Sequence, residues 1–324
     1  MKKLWLLVLV GLVLGGCGMV SPKGETKKDI NLNLAKYDFD SLKTRQGIGS
    51  EIVVGGPIKA VEDRRKAANK VYESNFQTRE IYFTSNGKKI SGMMNFYPEK
   101  SSLSPVIIMI RGYAEKAGYY PGSGSWAVAD KLAEAGYATI SVDFLGFADS
   151  DPESTDVLEA RFEKVESVLD LIESIKLLPW VDKNRIGIWA HSNGGQITLS
   201  VLEVTGGKYL TVLWAPMTQK FPDSVLSTID EGSPVKQVMA DFEKHYDARR
   251  YAFENYYPWI KASMLIQQGT ADDQVKVDWQ QSVVTGLKSL GKEIELVIYQ
   301  GDDHNLKKNW EKAVEKDLEY YKRL

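Results

Sequence analysis

The chain has 324 residues, a formal net charge of −2 and a pI near 6.1, which gives no reason to expect nucleic acid or another polyanion as a partner. Hydrophobic residues make up 43% of it, with eight Trp and sixteen Tyr, enough for one large α/β core plus a leader and an insertion. One cysteine and three scattered histidines do not make a zinc site, no disulfide can form within the chain, and no Gly-rich nucleotide loop is in the right context, so no cofactor or metal is expected.

The chain opens on a basic Met1-Lys2-Lys3 and an apolar Leu4 to Leu14, too short for a comfortable membrane span. It ends in Leu14-Gly15-Gly16-Cys17, which resembles the lipobox of bacterial lipoproteins. The resemblance implies cleavage before Cys17, acylation of Cys17, export, and a lipid anchor in a bacterial membrane, whether cell membrane or outer membrane. Residues 1–17 are thus read as the signal peptide and 18–77 as tether and N-terminal extension. Of the latter, Gly18 to about Ser50 is polar and weakly patterned, and Ile52 to Tyr72 carries a strand and a helix.

From Thr78 the pattern sharpens. Arg79–Thr84 and Ile90–Tyr97 are β-rich runs around Ser85-Asn86-Gly87-Lys88, a hairpin signal. Val106–Ile110 is a continuous apolar run, expected to be a strand buried on both faces. There follow a helix over Ser125–Ala135, a strand over Ala138–Asp143 and a long helix over Val157–Leu178 with apolar residues at helical spacing. Arg185–Ala190 reads as a strand bounded by the turn Asp182-Lys183-Asn184, and a helix starts directly after His191-Ser192-Asn193-Gly194-Gly195. Strands over Leu210–Trp214, Ala262–Gln268 and Glu293–Tyr299 and helices over Val275–Leu290 and Asn305–Tyr321 complete the rhythm. An antiparallel hairpin followed by alternating strands and helices predicts a mostly parallel twisted sheet with helices on both faces, over residues 78–324. Pro216–Pro258, acidic and aromatic, interrupts it. Two helices are expected there, around Asp223–Ile229 and Val235–Tyr246, as a cap over the carboxyl ends of the strands.

A serine between a buried strand and a helix is placed as a nucleophile elbow, with Ala190 where the first glycine of G-x-S-x-G usually stands. A serine hydroxyl needs a base, and the base an orienting carboxylate. His191 abuts Ser192, but its side chain should point away. His245 reads as a solvated residue of the cap. His304, in Gly301-Asp302-Asp303-His304-Asn305 after a strand, is the expected base. Gly269-Thr270-Ala271-Asp272-Asp273-Gln274-Val275 supplies two acids. Asp272 is preferred, with Asp273 as the N-cap of the next helix. The oxyanion hole would use the Asn193 N–H and an N–H from Arg111-Gly112-Tyr113-Ala114, with Tyr113 first and Ala114 second. Arg111 either binds a substrate carboxylate or is tied to a structural aspartate.

Together these residues resemble the α/β-hydrolase superfamily, and within it the catalytic domain of prolyl oligopeptidase (S9) peptidases. The likeness is carried by Val181 to Ile188 running into His191-Ser192-Asn193-Gly194-Gly195, by Asn255-Tyr256-Tyr257 through Gly269 to Val275, and by Tyr299-Gln300-Gly301 to His304; Leu132 to Gly146 is similar to the stretch after the oxyanion loop. It implies an α/β-hydrolase fold with a short helical cap, and a serine hydrolase whose acid is the first aspartate of the pair, Asp272. The family often has His-Gly where this chain has Arg111-Gly112. About sixty residues of N-terminal extension cannot build two four-stranded propeller blades, so a propeller-free member is expected, acting on a small peptide or ester. Peptidase and carboxylesterase both remain open, and a non-catalytic binding protein on the same scaffold is the alternative of another class.

Overall fold

The computed structural model describes residues 32–70, 75–98, 102–226 and 234–324. The expected signal peptide, Cys17 and the first part of the expected tether lie outside the described residues. Residues 32–50 depart from the tether reading. A 3-10 turn (Leu32–Tyr37) and helix α1 (Phe39–Arg45) pack on the body, burying Leu34, Tyr37, Phe39 and Leu42. Asp38 caps α1 by accepting from Ser41 N–H (2.8 Å). Arg45 closes a two-pronged contact on Asp170 (2.9 and 2.8 Å) and reaches Glu166 at 2.7 Å. Four apolar residues in two short turns are too few to produce a periodic signal, so only their burial partner reveals them.

Strand β1 (Val53–Val54) and helix α2 (Lys59–Ala67) lead into the hairpin β2 (Gln77–Ser85) and β3 (Lys88–Phe96). Asn86 and Gly87 have φ of 51° and 77°, the two left-handed positions a tight hairpin turn demands. The remaining order is β4 (Ser104–Ile110), α3 (Trp126–Glu134), β5 (Ala138–Val142), α4 (Val157–Lys176), β6 (Val181–His191), α5 (Asn193–Thr205) and β7 (Leu210–Trp214). Next come the insertion helices α6 (Asp223–Leu226) and α7 (Pro234–His245), three 3-10 turns within 248–259, β8 (Met264–Gly269), α8 (Val277–Ser289), β9 (Ile294–Tyr299) and α9 (Trp310–Tyr321).

Among the described residues nine strands form one sheet in the order β1-β2-β3-β5-β4-β6-β7-β8-β9. The pairs from β1 to β5 are antiparallel, and all those from β5 to β9 are parallel. Apolar side chains of α1, α4, α5 and α8 fill one face, and those of α2, α3 and α9 the other. This is the expected mostly parallel sheet covered on both sides. Strand order reverses around β4, so a crevice opens at the carboxyl ends of β4 and β6.

Three boundaries differ from the sequence reading for local reasons. β6 begins at Val181, before the expected turn: Ser104 pairs with Val181 and Val106 with Ile186, so residues 182–185 bulge out of a continuing strand. α9 begins at Trp310 and α8 at Val277, because the residues ahead of each form the loops that carry His304 and Asp272. The insertion stands on α4 through aromatic rings: Phe162 faces Phe221, Phe242 and Tyr251 at centroid distances of 5.9, 6.1 and 5.2 Å.

Candidate active site

Ser192 joins β6 to α5 with φ 53° and ψ −123°, a conformation that costs a non-glycine residue about 1–3 kcal/mol. Its surroundings enforce it. Ser192 N–H donates to the Trp214 carbonyl (3.0 Å), and the Ser192 carbonyl accepts from Gly195 N–H (2.9 Å) and Met217 N–H (2.8 Å). The flanking glycines answer to contact. A Cβ on Gly194 would lie 2.2 Å from the Ile110 carbonyl oxygen, one on Gly195 2.2 Å from Pro216 Cβ, and one on Gly112 2.7 Å from Ser192 Cβ. The helix can therefore start only if two glycines follow the serine, and the loop after β4 can cover Ser192 only with a glycine at 112. Ala190, fully buried, sits where the usual motif has glycine.

The second half of the site is built by two loops knitted to each other. Gly269, at the end of β8, lies so close to the loop after β9 that a Cβ there would be 2.3 Å from the Asp302 carbonyl oxygen. Ala271 N–H donates to that carbonyl (2.8 Å), and Gly301 N–H to Thr270 Oγ1 (2.8 Å). The Asp302 carboxylate organises its own loop, accepting from the N–H groups of Asp303 (3.0 Å), Lys308 (3.0 Å) and Asn309 (2.9 Å) and from Asn309 Nδ2 (2.9 Å). Held this way, His304 places Nδ1 2.8 Å from Asp272 Oδ2, with both side chains nearly or wholly buried.

Asp272 takes three further hydrogen bonds. Oδ1 accepts from Gln274 and Val275 N–H (both 2.9 Å), and Oδ2 also accepts from Gln268 Nε2 (2.9 Å). Burial pushes its pKa up, but the bonds from His304, Val275 and Gln268 outweigh burial and hold it below the usual carboxylate value. An ionised Asp272 only accepts, so Nδ1 of His304 carries the hydrogen of this bond. Asp273 is exposed and does not bond His304. The helix-cap role expected of it is not used either: α8 has Lys276 at its N-cap without a side-chain bond, and Asp272 itself pins the preceding turn.

Two residues were given no role from the sequence. Gln268, a buried amide next to the equally buried Gln267 in β8, ties Asp272 to the Gly269 and Val275 carbonyls (3.0 and 3.1 Å). The pair Gln267-Gln268 at the end of an apolar run was the available signal. His191 is the other. Its ring lies 4.8 Å from the His304 ring, and its Nε2 is 3.0 Å from the His304 carbonyl oxygen, so the residue before Ser192 clasps the histidine loop to the elbow. Burial, with the neighbouring His304 next, lowers the His191 pKa to about 4. The folded form thus binds fewer protons than the unfolded chain between that value and 6.5, and stability rises with pH across the window. His191→Gln is expected to flatten this slope, which amounts to about 2 kcal/mol at about pH 4.5 from linkage. Urea unfolding at about pH 4.5, 6 and 7.5 reads it across the linkage window, and an equal slope in both proteins would show that His191 does not titrate this way. His245 is exposed at the end of α7.

Arg111 is structural. Its guanidinium donates to Tyr119 Oη (2.7 Å), the Gly112 carbonyl (2.8 Å) and the Asp143 carbonyl (2.6 Å), and stacks 4.0 Å from the Phe147 ring centroid. Tyr119 Oη donates on to the buried Asp143 carboxylate (3.0 Å), which burial raises to about 6. This framework fixes the loop over Ser192. Of the two N–H groups expected to meet an oxyanion, that of Asn193 opens α5 and that of Tyr113 follows Gly112. Neither donates to a backbone acceptor among the described residues. The Tyr113 side chain is 79% exposed, with its hydroxyl 3.1 Å from Glu115 Oε1. No group of His, Cys, Asp and Glu among the described residues could hold a metal ion, and no described helix is long and apolar enough to cross a membrane.

Residues 125–324, well over half of the chain, match the model of the prolyl oligopeptidase family. Dipeptidyl peptidase 4 of Felis catus is 28% identical over 145 residues, covering 44% of this chain and 18% of the cat protein. The chain thus aligns with less than a quarter of the length of that curated relative. Among solved structures, an acylaminoacyl peptidase of Pyrococcus horikoshii superposes with a TM-score of 0.62 at 19% identity, over 77% of this chain and 42% of that one. Est1E of Butyrivibrio proteoclasticus, with ferulic acid bound, superposes with a TM-score of 0.55 at 20% identity, over 74% of this chain and 98% of that one. At these identities the two structures show the common α/β-hydrolase fold. The family match, which takes in the strained serine, the paired aspartate and histidine and the loops that carry them, makes this chain a member of the prolyl oligopeptidase (S9) family of serine hydrolases.

Proposed function

We propose that Ser192, His304 and Asp272 form a catalytic triad that cleaves an amide or ester bond through an acyl-enzyme. His304 Nε2 takes the proton of Ser192 Oγ as the oxygen attacks the carbonyl carbon, then gives it to the leaving nitrogen or oxygen. Asp272 stays ionised, keeps the ring in one tautomer and stabilises the imidazolium. The N–H groups of Asn193 and Tyr113 hold the oxyanion. A water then attacks the acyl carbon, His304 accepts its proton, and Ser192 Oγ leaves with that proton. The observation that carries this reading is the 2.8 Å bond from His304 to an ionised Asp272, in a loop clasped to the strained serine.

The family membership supports a peptide substrate, and the fit to the full length of Est1E supports a small ester. A panel of p-nitrophenyl acyl esters and of aminoacyl and dipeptidyl p-nitroanilides separates them. Hydrolysis of both kinds supports the peptidase, and of esters alone the carboxylesterase. If neither is cleaved and a fluorophosphonate fails to label one serine per chain, the protein is a binding module. Acylated Cys17 is proposed to hold the enzyme at the membrane. Cys17→Ser should then move activity to the soluble fraction, and unchanged membrane recovery refutes the anchor.

A further inference from the structure

Two cations beside the elbow have no acidic partner among the described residues. Arg161 and Lys164 lie three residues apart on α4, hence on neighbouring positions of one face, and both are half-buried. The Arg161 guanidinium donates to Gln196 Oε1, and Gln196 Nε2 donates to Ser224 Oγ of the insertion (2.9 Å). Gln196 is four residues after Ser192, about 6 Å along the axis of α5. Arg161 therefore stands where α4, the first turn of α5 and the cap meet, on the carboxyl side of the sheet.

The acids nearby are already committed. Glu153 pairs with Lys116 at 2.5 Å, Glu163 with Lys88 at 3.4 Å, and Asp143 belongs to the Arg111 and Tyr119 network. Among the described residues no carboxylate comes within ion-pair distance of Arg161 or Lys164, whereas other cations that reach α4 do find one, as Lys36 does in Glu159 at 3.1 Å. Burial lowers Arg161 to about 10; burial, opposed by Glu153 and joined by Arg111 and Arg161, lowers Lys164 to about 8. Desolvated cations without a counter-charge are a cost to the fold that an incoming anion would relieve.

We propose that Arg161 and Lys164 form a carboxylate-binding subsite next to Ser192, so that the preferred substrates carry an anionic group within about one helical turn of the scissile bond. Arg161 supplies the planar fork suited to a carboxylate, and Lys164 a second point charge. This inference rests on the hydrolase reading above.

The test compares two p-nitrophenyl esters of glutaric acid, one with the far carboxylate free and one with it methylated. The ratio of their kcat/KM values in the wild type should favour the free acid by about tenfold at low salt and shrink in about 0.5 M NaCl, as a charge-dependent contact requires. Arg161→Gln and Lys164→Gln should each lower the ratio several-fold, and Lys164→Glu should bring it below one. If Arg161→Gln does not fold, the Lys164 pair still decides. A wild-type ratio at or below one, or a ratio that no variant moves, overturns the subsite. Fluorophosphonate labelling keeps the two readings apart: labelled protein with a flat ratio loses the subsite alone, and unlabelled protein loses both.

Discussion

Ser192→Ala is expected to lower kcat/KM on any cleaved ester or anilide by about 10⁴-fold or more, the scale on which removal of a triad nucleophile acts. Fluorophosphonate labelling should vanish with it. Stability should move the other way in a companion variant. Ser192 is held at φ 53°, where glycine pays no Cβ penalty, so Ser192→Gly is expected to raise stability by about 1 kcal/mol while abolishing activity. Opposite signs in a rate assay and a melting curve would identify the residue as one whose strain serves chemistry. If Ser192→Ala kept more than a few per cent of the wild-type rate, another group would be the nucleophile and the proposed mechanism would fall.

Asp272→Asn comes next, with an expected loss of about 10³- to 10⁴-fold in kcat and a smaller change in KM. The side chain keeps its shape, and its oxygen can still accept from Gln274 and Val275 N–H. Its amide, however, would turn a donor toward His304 Nδ1 and reverse the tautomer, leaving Nε2 protonated when it must accept. The acid limb of stability carries an independent signature. The wild-type Asp272 pKa is depressed on folding, so its contribution is full above the unfolded value of 3.8 and is lost as pH falls through the lower folded value. Asp272→Asn should remove that part of the acid transition and leave stability near neutral pH reduced. An unchanged kcat at neutral pH would release Asp272 from the site, whereas Asp273→Asn, at an exposed position with no hydrogen bond to His304, is the control expected to be silent.

How much of this was legible in the chain depends on how local each cause is. Periodicity and turn chemistry placed the hairpin at Asn86-Gly87, the buried strand at Val106–Ile110 and the elbow at Ser192, because each is a property of neighbouring residues. The choice of His304 and Asp272 was legible as order and spacing, since loops that follow parallel strands must open on one edge of the sheet. What α1 does was not legible. The four apolar residues of its segment acquire meaning only against α4 and the cap.

Residue types and their sequence were sufficient for the fold class, the serine elbow and the membership of a family. Tertiary structure alone decided that Arg111 braces the loop over Ser192, that Asp272 also pins the turn ahead of α8, that Gln268 holds Asp272 and His191 the His304 loop, and that Arg161 and Lys164 lack acidic partners among the described residues. The physical reason is the same in each case. A charge or a polar group is described by what solvates it, and once water is excluded its partners come from residues far away along the chain, whose distances no one-dimensional pattern encodes.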